Sequence, residues 1–336
     1  MGQKGHFDAF ILPKSVKLSM KSLLVFEPWN LGDLVIAANF ARYINDKFDI
    51  SISFICKPQW AEWLSSQNFV ETVFTFEAPW TRIRGKYNPL NYNPKQIYKL
   101  SRFIKYTNID LVWDVRGDVR QGLFLKTITT KKVYSPKYPK NINVYNRLSY
   151  FLKDNFGHAE IEINKKSKLD KICNITVISL FIDSYWPNRQ LPYQKSVDLI
   201  MNLLSNGYFV KLIVPPNKDY DLAKELEKKF PNSFYLLKDS VVNIAEEIKK
   251  SDIMISTDSG WMHMAYYYNI PCIAMFGFDN HNEWAPPGTK IILAANYLPK
   301  GERYKLKYLN ISPLETINIS AVLKEIQEAQ QENGLL

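Results

Sequence analysis

The segment Ile255–Ala265 (Ile-Ser-Thr-Asp-Ser-Gly-Trp-Met-His-Met-Ala) holds the densest set of groups able to do chemistry. An apolar run ends at Ser256, the polar turn Thr257-Asp258-Ser259-Gly260 follows, and a helical pattern begins at Trp261. A helix that starts directly after a buried strand presents unbonded N–H groups and the positive end of its dipole, which together bind anions. Gly260 lets a phosphate approach the backbone closely. Asp258 or Ser259 is placed to cap the helix, and His263 falls in its first turn. The same spacing also describes an ordinary capped strand–helix turn with a structural histidine, and on these residues alone both readings stand. A second apolar run, Pro271–Gly277, ends in Phe-Gly-Phe-Asp, and Trp284-Ala-Pro-Pro-Gly288 follows. Ser256–Phe278 therefore offers adjacent strand ends as one floor of a pocket.

A related arrangement stands near the start, at Trp29-Asn30-Leu31-Gly32-Asp33. Gly32 permits a tight turn. Asp33 at a helix start is either a cap or a carboxylate facing a cleft, where it can take a proton from an attacking hydroxyl. Dinucleotide-type GxGxxG and the phosphate-loop lysine motif are absent. No metal and no cofactor are expected; a nucleotide sugar would enter as substrate.

The elements that must position these groups alternate strand with helix. Expected strands are 22–26, 50–56, 70–76, 109–115 and 133–138 in the first half, then 175–181, 209–214, 234–237, 253–256 and 272–276. Expected helices include 34–48, 97–106, 145–156, 193–205, 219–229, 242–249, 261–268 and a terminal amphipathic one over 317–331. Such alternation predicts parallel sheets covered by helices. The polar stretch 160–171 reads as a linker between a domain spanning 1–165 and one spanning 166–336, with the terminal helix packing back on the first. A long loop over 77–96 carries Arg82, Arg84 and Lys86 among prolines and aromatics.

With 336 residues, 46% of them hydrophobic, the chain has material for two cores. Its net charge of +10 is unevenly placed. Residues 1–165 carry 24 Lys+Arg against 14 Asp+Glu, and the remainder has 19 of each. The basic half is expected to meet something anionic: a phosphorylated glycolipid, a membrane surface or a nucleic acid. Cys56, Cys173 and Cys272 are far apart and form no metal-like cluster, so reduced buried thiols in a cytoplasmic protein are expected. Neither a signal peptide nor a membrane-spanning run is evident.

Taken together, Ser22–Ala38, Ile109–Gly122 (Ile-Asp-Leu-Val-Trp-Asp-Val-Arg-Gly-Asp-Val-Arg-Gln-Gly) and residues 253–288 resemble the bacterial heptosyltransferase family, glycosyltransferase family nine. The order and spacing hold over about residues 22–330, and the block Asp258–Gly277 is the specific part. The resemblance implies a GT-B fold, two Rossmann-like domains facing a cleft. It implies inverting, metal-independent transfer of heptose from an ADP-linked donor to a lipopolysaccharide core acceptor, by a protein peripheral to the inner membrane. Asp33 then matches the general base. Ser184, Arg189, Asp258, Ser259, Gly260, Trp261 and His263 match the donor-binding block, and Asp219 matches a carboxylate on the nucleotide ribose. Arg82, Arg84, Lys86, Arg116 and Arg120 fall to an anionic glycolipid acceptor. The sequence departs from the family at Val214-Pro215-Pro216-Asn217, where Gly-rich residues are common, and at the bulky Trp261. Another donor, a protein acceptor, a sugar-nucleotide epimerase, and a non-catalytic nucleotide-sugar or nucleic-acid binder remain the alternatives. Nucleic acid is the least expected partner, since no known binding motif is present.

Overall fold

Short buried runs, each followed by a helical pattern, close into two parallel sheets in the computed structural model. It describes residues 20–81, 91–157, 176–184, 186–215, 221–277, 279–295 and 312–331. The first sheet holds β1 (Ser22–Phe26), β2 (Ser51–Cys56), β3 (Val70–Thr75), β4 (Leu111–Asp114) and β5 (Lys132–Tyr134), in the order β3-β2-β1-β4-β5. The second holds β6 (Val177–Phe181), β7 (Phe209–Ile213), β8 (Phe234–Leu237), β9 (Ile253–Thr257), β10 (Cys272–Phe276) and β11 (Lys290–Leu293), ordered β11-β10-β9-β6-β7-β8. Strands β1, β9 and β10 are buried along their whole length. That explains why they read as continuous apolar runs rather than alternating ones.

Both strand orders reverse direction at their first strand. The chain steps outward from β1 through β2 to β3 and then crosses back to β4 on the other side of β1; it steps outward from β6 through β7 to β8 and crosses back to β9 likewise. Each reversal opens a crevice at the carboxyl ends of the strands, the place where such sheets bind ligands.

On one face of the first sheet lie α1 (Leu31–Phe48), α2 (Ala61–Ser65) and α5 (Arg147–Phe156), packing through Leu34, Phe40, Trp63 and Phe151. On the other lie α3 (Pro94–Tyr106) and α4 (Val119–Ile128), through Leu100, Ile104 and Leu125. The second sheet carries α6 (Tyr193–Ser205), α7 (Asp221–Lys229), α8 (Val241–Lys249), α9 (Gly260–Tyr267), the short α10 (His281–Trp284) and α11 (Ile319–Gln331).

The halves meet through α1 and α9. Apolar packing is continuous across this boundary: Leu34, Val35 and Ala38 share one core with Met262, Met264 and Ala265. Polar contacts fix the register. Arg42 Nη2 donates to Tyr267 O at 3.0 Å and its guanidinium lies 4.1 Å from the Tyr267 ring centre. Trp63 Nε1 donates to Tyr268 Oη at 2.9 Å, Tyr267 Oη donates to Gln67 Oε1 at 2.8 Å, and Asn143 Nδ2 donates to Ala285 O at 3.0 Å.

The structure departs from the sequence-based elements in several places. Helix α4 and strand β11 were not anticipated. The strand expected over 133–138 ends at Tyr134. The terminal helix packs on α6 and β11 of the second half, not on the first, because Val322 and Ile326 enter the second half's core. Residues 160–171, expected as the linker, lie outside the described residues. Cys56 and Cys272 are free and buried, and burial pushes the Cys56 thiol up to about 12. Cys173 lies outside the described residues.

Candidate active site

Every described candidate residue except Arg120 and His263 follows the carboxyl end of a switch-point strand by a few residues. Asp33 follows β1 and Arg116 follows β4; Ser184 and Arg189 follow β6; Asp258, Ser259, Gly260 and Trp261 follow β9. Arg120 lies one turn further on, in α4, and His263 one turn further on, in α9. Arg82, Arg84, Lys86 and Asp219 lie outside the described residues.

The crossing of α1 and α9 brings the two crevices together. A Cβ added to Gly260 would stand 2.8 Å from Gly32 N and 3.1 Å from Leu31 Cβ. One added to Gly32 would stand 3.1 Å from His263 Cδ2 and 3.2 Å from Gly260 Cα. At Gly260 something must shift to admit a side chain, and at Gly32 the neighbours must give by a few tenths of an ångström. The openness of Gly260, read from sequence as room for a phosphate, is filled on its Cα side by Gly32. The helix start that carries Asp33 and the helix start that would face a donor diphosphate thus touch.

On the first-domain side, Asp33 does not cap α1. Asn30 occupies the cap position, and the Asp33 carboxylate turns to Arg116, whose Nη1 lies 2.9 Å from Oδ1. Arg116, expected on the acceptor, is therefore the partner of the candidate base. Its guanidinium stacks 4.1 Å from the Trp29 ring centre. The Trp29 indole N–H donates to Gln121 Oε1, and Gln121 Nε2 donates to Asp114 Oδ1 at 2.7 Å. Asp114 also accepts from Ser135 Oγ at 2.7 Å and from Gly117 N at 3.1 Å. Burial nonetheless pushes its carboxyl up to about 6. Glu27, directly after β1, is also fully enclosed, and burial followed by the nearby Asp33 charge raises its pKa well above the usual range. Arg120 closes locally on Asp118, with Nη2 2.8 Å from Oδ2.

On the second-domain side, Ser259 is the cap of α9: its Oγ accepts from Trp261 N at 3.2 Å and lies 2.8 Å from Ser256 Oγ. Trp261 is nearly buried against Phe181, with ring centres 6.2 Å apart. Arg189 spans two carboxylates, with Nη2 2.5 Å from Asp279 Oδ2 and Nε 3.4 Å from Asp258 Oδ2. Ser184 forms a turn in the same loop, where its Oγ accepts from Trp186 N at 3.1 Å. Asp279 escaped the sequence reading, although its position two residues beyond Gly277 at a strand end was a signal.

His263 faces the other domain. Its Nδ1 lies 3.0 Å from Tyr145 Oη, and burial lowers its pKa to about 4. A neutral imidazole brings no positive charge to a diphosphate. The native value lies below the ordinary 6.5, so the unfolded chain binds a proton that the native state refuses as pH falls from 6.5 to about 4. This group's contribution to stability is intact above that window and lost through it, by about 1.4 kcal/mol per pH unit at most. Asp114 and Glu27, with raised values, act with the opposite sign. His263→Asn is expected to shrink the loss of stability between about pH 7 and about pH 5. Urea unfolding of both proteins at both pH values checks this, since Asp114 and Glu27 cancel in the comparison. An unchanged loss would count against the buried neutral imidazole.

The expectation of no metal counts an Asp-x-Asp motif as missing, but Asp219-Tyr220-Asp221 spells one. Asp221 is solvent-exposed and its Oδ1 lies 3.7 Å from Lys224 Nζ. Among the described residues no group of three or more His, Cys, Asp or Glu is placed to hold a metal.

Residues 152–309 match the family model for glycosyltransferase family 9 (heptosyltransferase). No curated protein matches the chain. Among solved structures, the fold is similar to E. coli heptosyltransferase WaaC with ADP-2-deoxy-2-fluoro heptose, at TM-score 0.67 and 16% identity, covering 91% of this chain and 99% of that one. It is similar to the family 9 glycosyl transferase of Veillonella parvula, at TM-score 0.68 and 15% identity over 93% and 98% of the two chains. It is also similar to E. coli ADP-heptose lps heptosyltransferase II, at TM-score 0.61 and 15% identity over 93% and 99%. The two parallel-sheet domains are a GT-B fold, and the chain, whose residues 152–309 match the glycosyltransferase family 9 model, is a sugar-transferring enzyme.

Proposed function

We propose that the protein is an inverting, metal-independent glycosyltransferase that moves heptose from ADP-heptose onto an anionic lipopolysaccharide or lipooligosaccharide core acceptor. The observation that carries this reading is the contact of Gly32 with Gly260, which brings the start of α1, where Asp33 stands, against the start of α9. In this reading the domains divide at residues 165 and 166, with the acceptor on the first and the donor on the second. Asp33 takes the proton of the acceptor hydroxyl as its oxygen bonds to the anomeric carbon. The bond from that carbon to the diphosphate breaks on the opposite face, and ADP leaves. Arg189 and the first turn of α9, with Ser259, Gly260 and Trp261, receive the charge that develops on the leaving diphosphate. Ser184 and Asp258 line the same floor, and Asp219 holds the ribose. Arg116 holds the Asp33 carboxylate and, with Arg120 and the loop cations Arg82, Arg84 and Lys86, adds the positive charge that draws an anionic acceptor to that side. The similar E. coli proteins, a heptosyltransferase with ADP-2-deoxy-2-fluoro heptose and an ADP-heptose lps heptosyltransferase, support heptose and ADP as the first donor to test.

Removing Arg189 takes away the cation that faces both Asp258 and Asp279 and, in this reading, the donor diphosphate. Arg189→Ala is therefore expected to weaken ADP binding by about 30-fold or more, the usual range for truncating one partner of a buried, hydrogen-bonded charge pair. A thermal-shift titration with ADP measures it, since a ligand bound only by the native state raises its melting temperature. The function itself is tested by a turnover screen of nucleotide sugars, ADP-heptose first, with and without EDTA. Loss of turnover in EDTA would sink the metal-independent mechanism. An epimerised sugar formed without acceptor would replace transfer with isomerisation.

No helix among the described residues is long and apolar enough to cross a membrane. A cytoplasmic protein peripheral to the inner membrane is the placement that fits the proposed acceptor.

A further inference from the structure

The outer face of the first domain is built unlike the rest of the surface. Helix α3 buries Leu100 and Ile104, with Ile97 and Phe103 beside them, against the sheet. Its opposite side exposes Lys95, Lys99, Arg102 and Lys105 together with Tyr98 and Tyr106. The helix contains no acidic residue. Arg102 lies between the two tyrosines, 5.8 Å from one ring centre and 5.3 Å from the other. Helix α4 lies beside α3, tied to it by Ser101 Oγ donating to Ile128 O at 2.7 Å. It too lacks acidic residues, and it exposes Val119 by 71% and Leu123 by 61%, four residues apart on one stripe. Among the described residues no carboxylate pairs with Lys95, Lys99, Arg102, Lys105 or Lys126. Asp118 is engaged by Arg120.

Val119 and Leu123 together present an exposed apolar stripe beside the cations of α3. Cations with aliphatic stems and tyrosines, with a polar tip on an apolar body, suit the boundary between phosphate headgroups and acyl chains. The placement matters as much as the composition. Both helices run back from the carboxyl end of the sheet, so Lys95 and Val119 lie at the rim where Asp33 and Arg116 stand.

We propose that the α3–α4 face docks on an anionic phospholipid surface, with Lys95, Lys99 and Arg102 on headgroup phosphates and Val119 and Leu123 in the interface. The benefit to transfer rests on the glycolipid reading of the acceptor; the docking itself does not. Such docking would turn the acceptor side of the cleft toward the bilayer and leave the donor domain to the solvent.

The test is co-flotation of the full chain with vesicles of phosphatidylcholine alone or mixed with phosphatidylglycerol. The protein should float with the mixed vesicles and not with the neutral ones. The triple variant Lys95→Glu, Lys99→Glu, Arg102→Glu should bind at least about 10²-fold more weakly, at about five-fold per cation removed. Val119→Asp with Leu123→Asp should lose binding without changing α3. Lys224→Glu with Lys228→Glu and Lys229→Glu, an equal reversal of three charges on α7 of the second domain, should float like the unsubstituted chain. Equal losses in the α3 and α7 variants would overturn the proposal, leaving net charge alone as the cause. So would absence of vesicle binding, or a dimer in solution that the α4 variant dissolves, since a second copy would then cover the face. An ADP thermal shift on the same samples reports the donor-site reading separately, so failure of one is distinguishable from failure of the other.

Discussion

Gly260→Ala is expected to lower turnover by about 10²-fold while leaving the fold in place. The added methyl carbon would stand 2.8 Å from a backbone nitrogen, Gly32 N. No rotamer relieves that contact, because neither atom belongs to a flexible side chain. The helices must separate by several tenths of an ångström, and overpacking of this kind costs about 1–3 kcal/mol. The surrounding interface, with its shared core and the Arg42, Trp63 and Asn143 bonds, can absorb such a cost without unfolding. Transfer is less tolerant. In the proposed mechanism the acceptor oxygen and the anomeric carbon meet between Asp33 and α9, and small misplacement of reacting groups is costly in rate. The loss should therefore fall on kcat more than on the donor KM. Gly32→Ala should be the milder change. Its closest obstacle is the His263 ring at 3.1 Å, a side chain with some freedom to yield. Steady-state kinetics with circular dichroism on both variants checks the ranking. Equal, small losses in kcat would mean that the glycines only allow the helices to cross and do not set the spacing for chemistry.

The same pair shows how far the sequence carries the argument. Gly32 and Gly260 are legible as glycines that must be small, because each stands between an apolar run and a helix start. What each is small for is not legible. A helix start next to a glycine reads locally as a phosphate site, and nothing near Gly260 indicates a backbone from a helix more than two hundred residues earlier. Arg116 gives the same lesson. Its charge at a strand end marks it for an anion, but that anion in the structure is Asp33, 83 positions away. Gln121, which ties Trp29 to Asp114, carries no sequence signal, because a buried glutamine looks like an exposed one until its partners are placed.

The sheets were the readable part. Strands buried on both faces are continuous apolar runs, and their order of appearance fits two doubly wound sheets. Helix α4 was missed for a physical reason that bears on the membrane proposal. Val119 and Leu123 point outward while Leu125 points inward, so apolar residues occur on two sides and the helical period blurs. Strand β11 was missed because Lys290-Ile-Ile-Leu is short and lies at a sheet edge. The terminal helix was placed on the wrong half because an amphipathic stripe shows that a helix packs, but not on what.

Asp33→Asn is expected to reduce transfer by about 10²–10⁴-fold, the usual contribution of a positioned general base. The substitution keeps the shape of the side chain and leaves an oxygen to accept from Arg116, so α1 and its contact with α9 should persist. What it removes is the capacity to take a proton. The neighbouring carboxyl groups are poor replacements. Glu27 is enclosed, and burial raises its pKa well above the usual carboxylate range. Asp114 is fully buried and already accepts from Gln121, Ser135 and Gly117. Asp118 caps α4 and grips Arg120. Asp33 alone among these four both reaches solvent, with 16% of its side chain exposed, and adjoins the start of α9 through Gly32. Binding of ADP should be nearly unchanged in the variant, because the proposed donor contacts belong to the second domain. The measurement is single-turnover transfer with an ADP thermal shift on the same protein. Full transfer by Asp33→Asn would place the proton on a group outside this cluster and remove the base from the proposed mechanism. A lost ADP shift would mean instead that Asp33 supports the donor site across the α1–α9 contact.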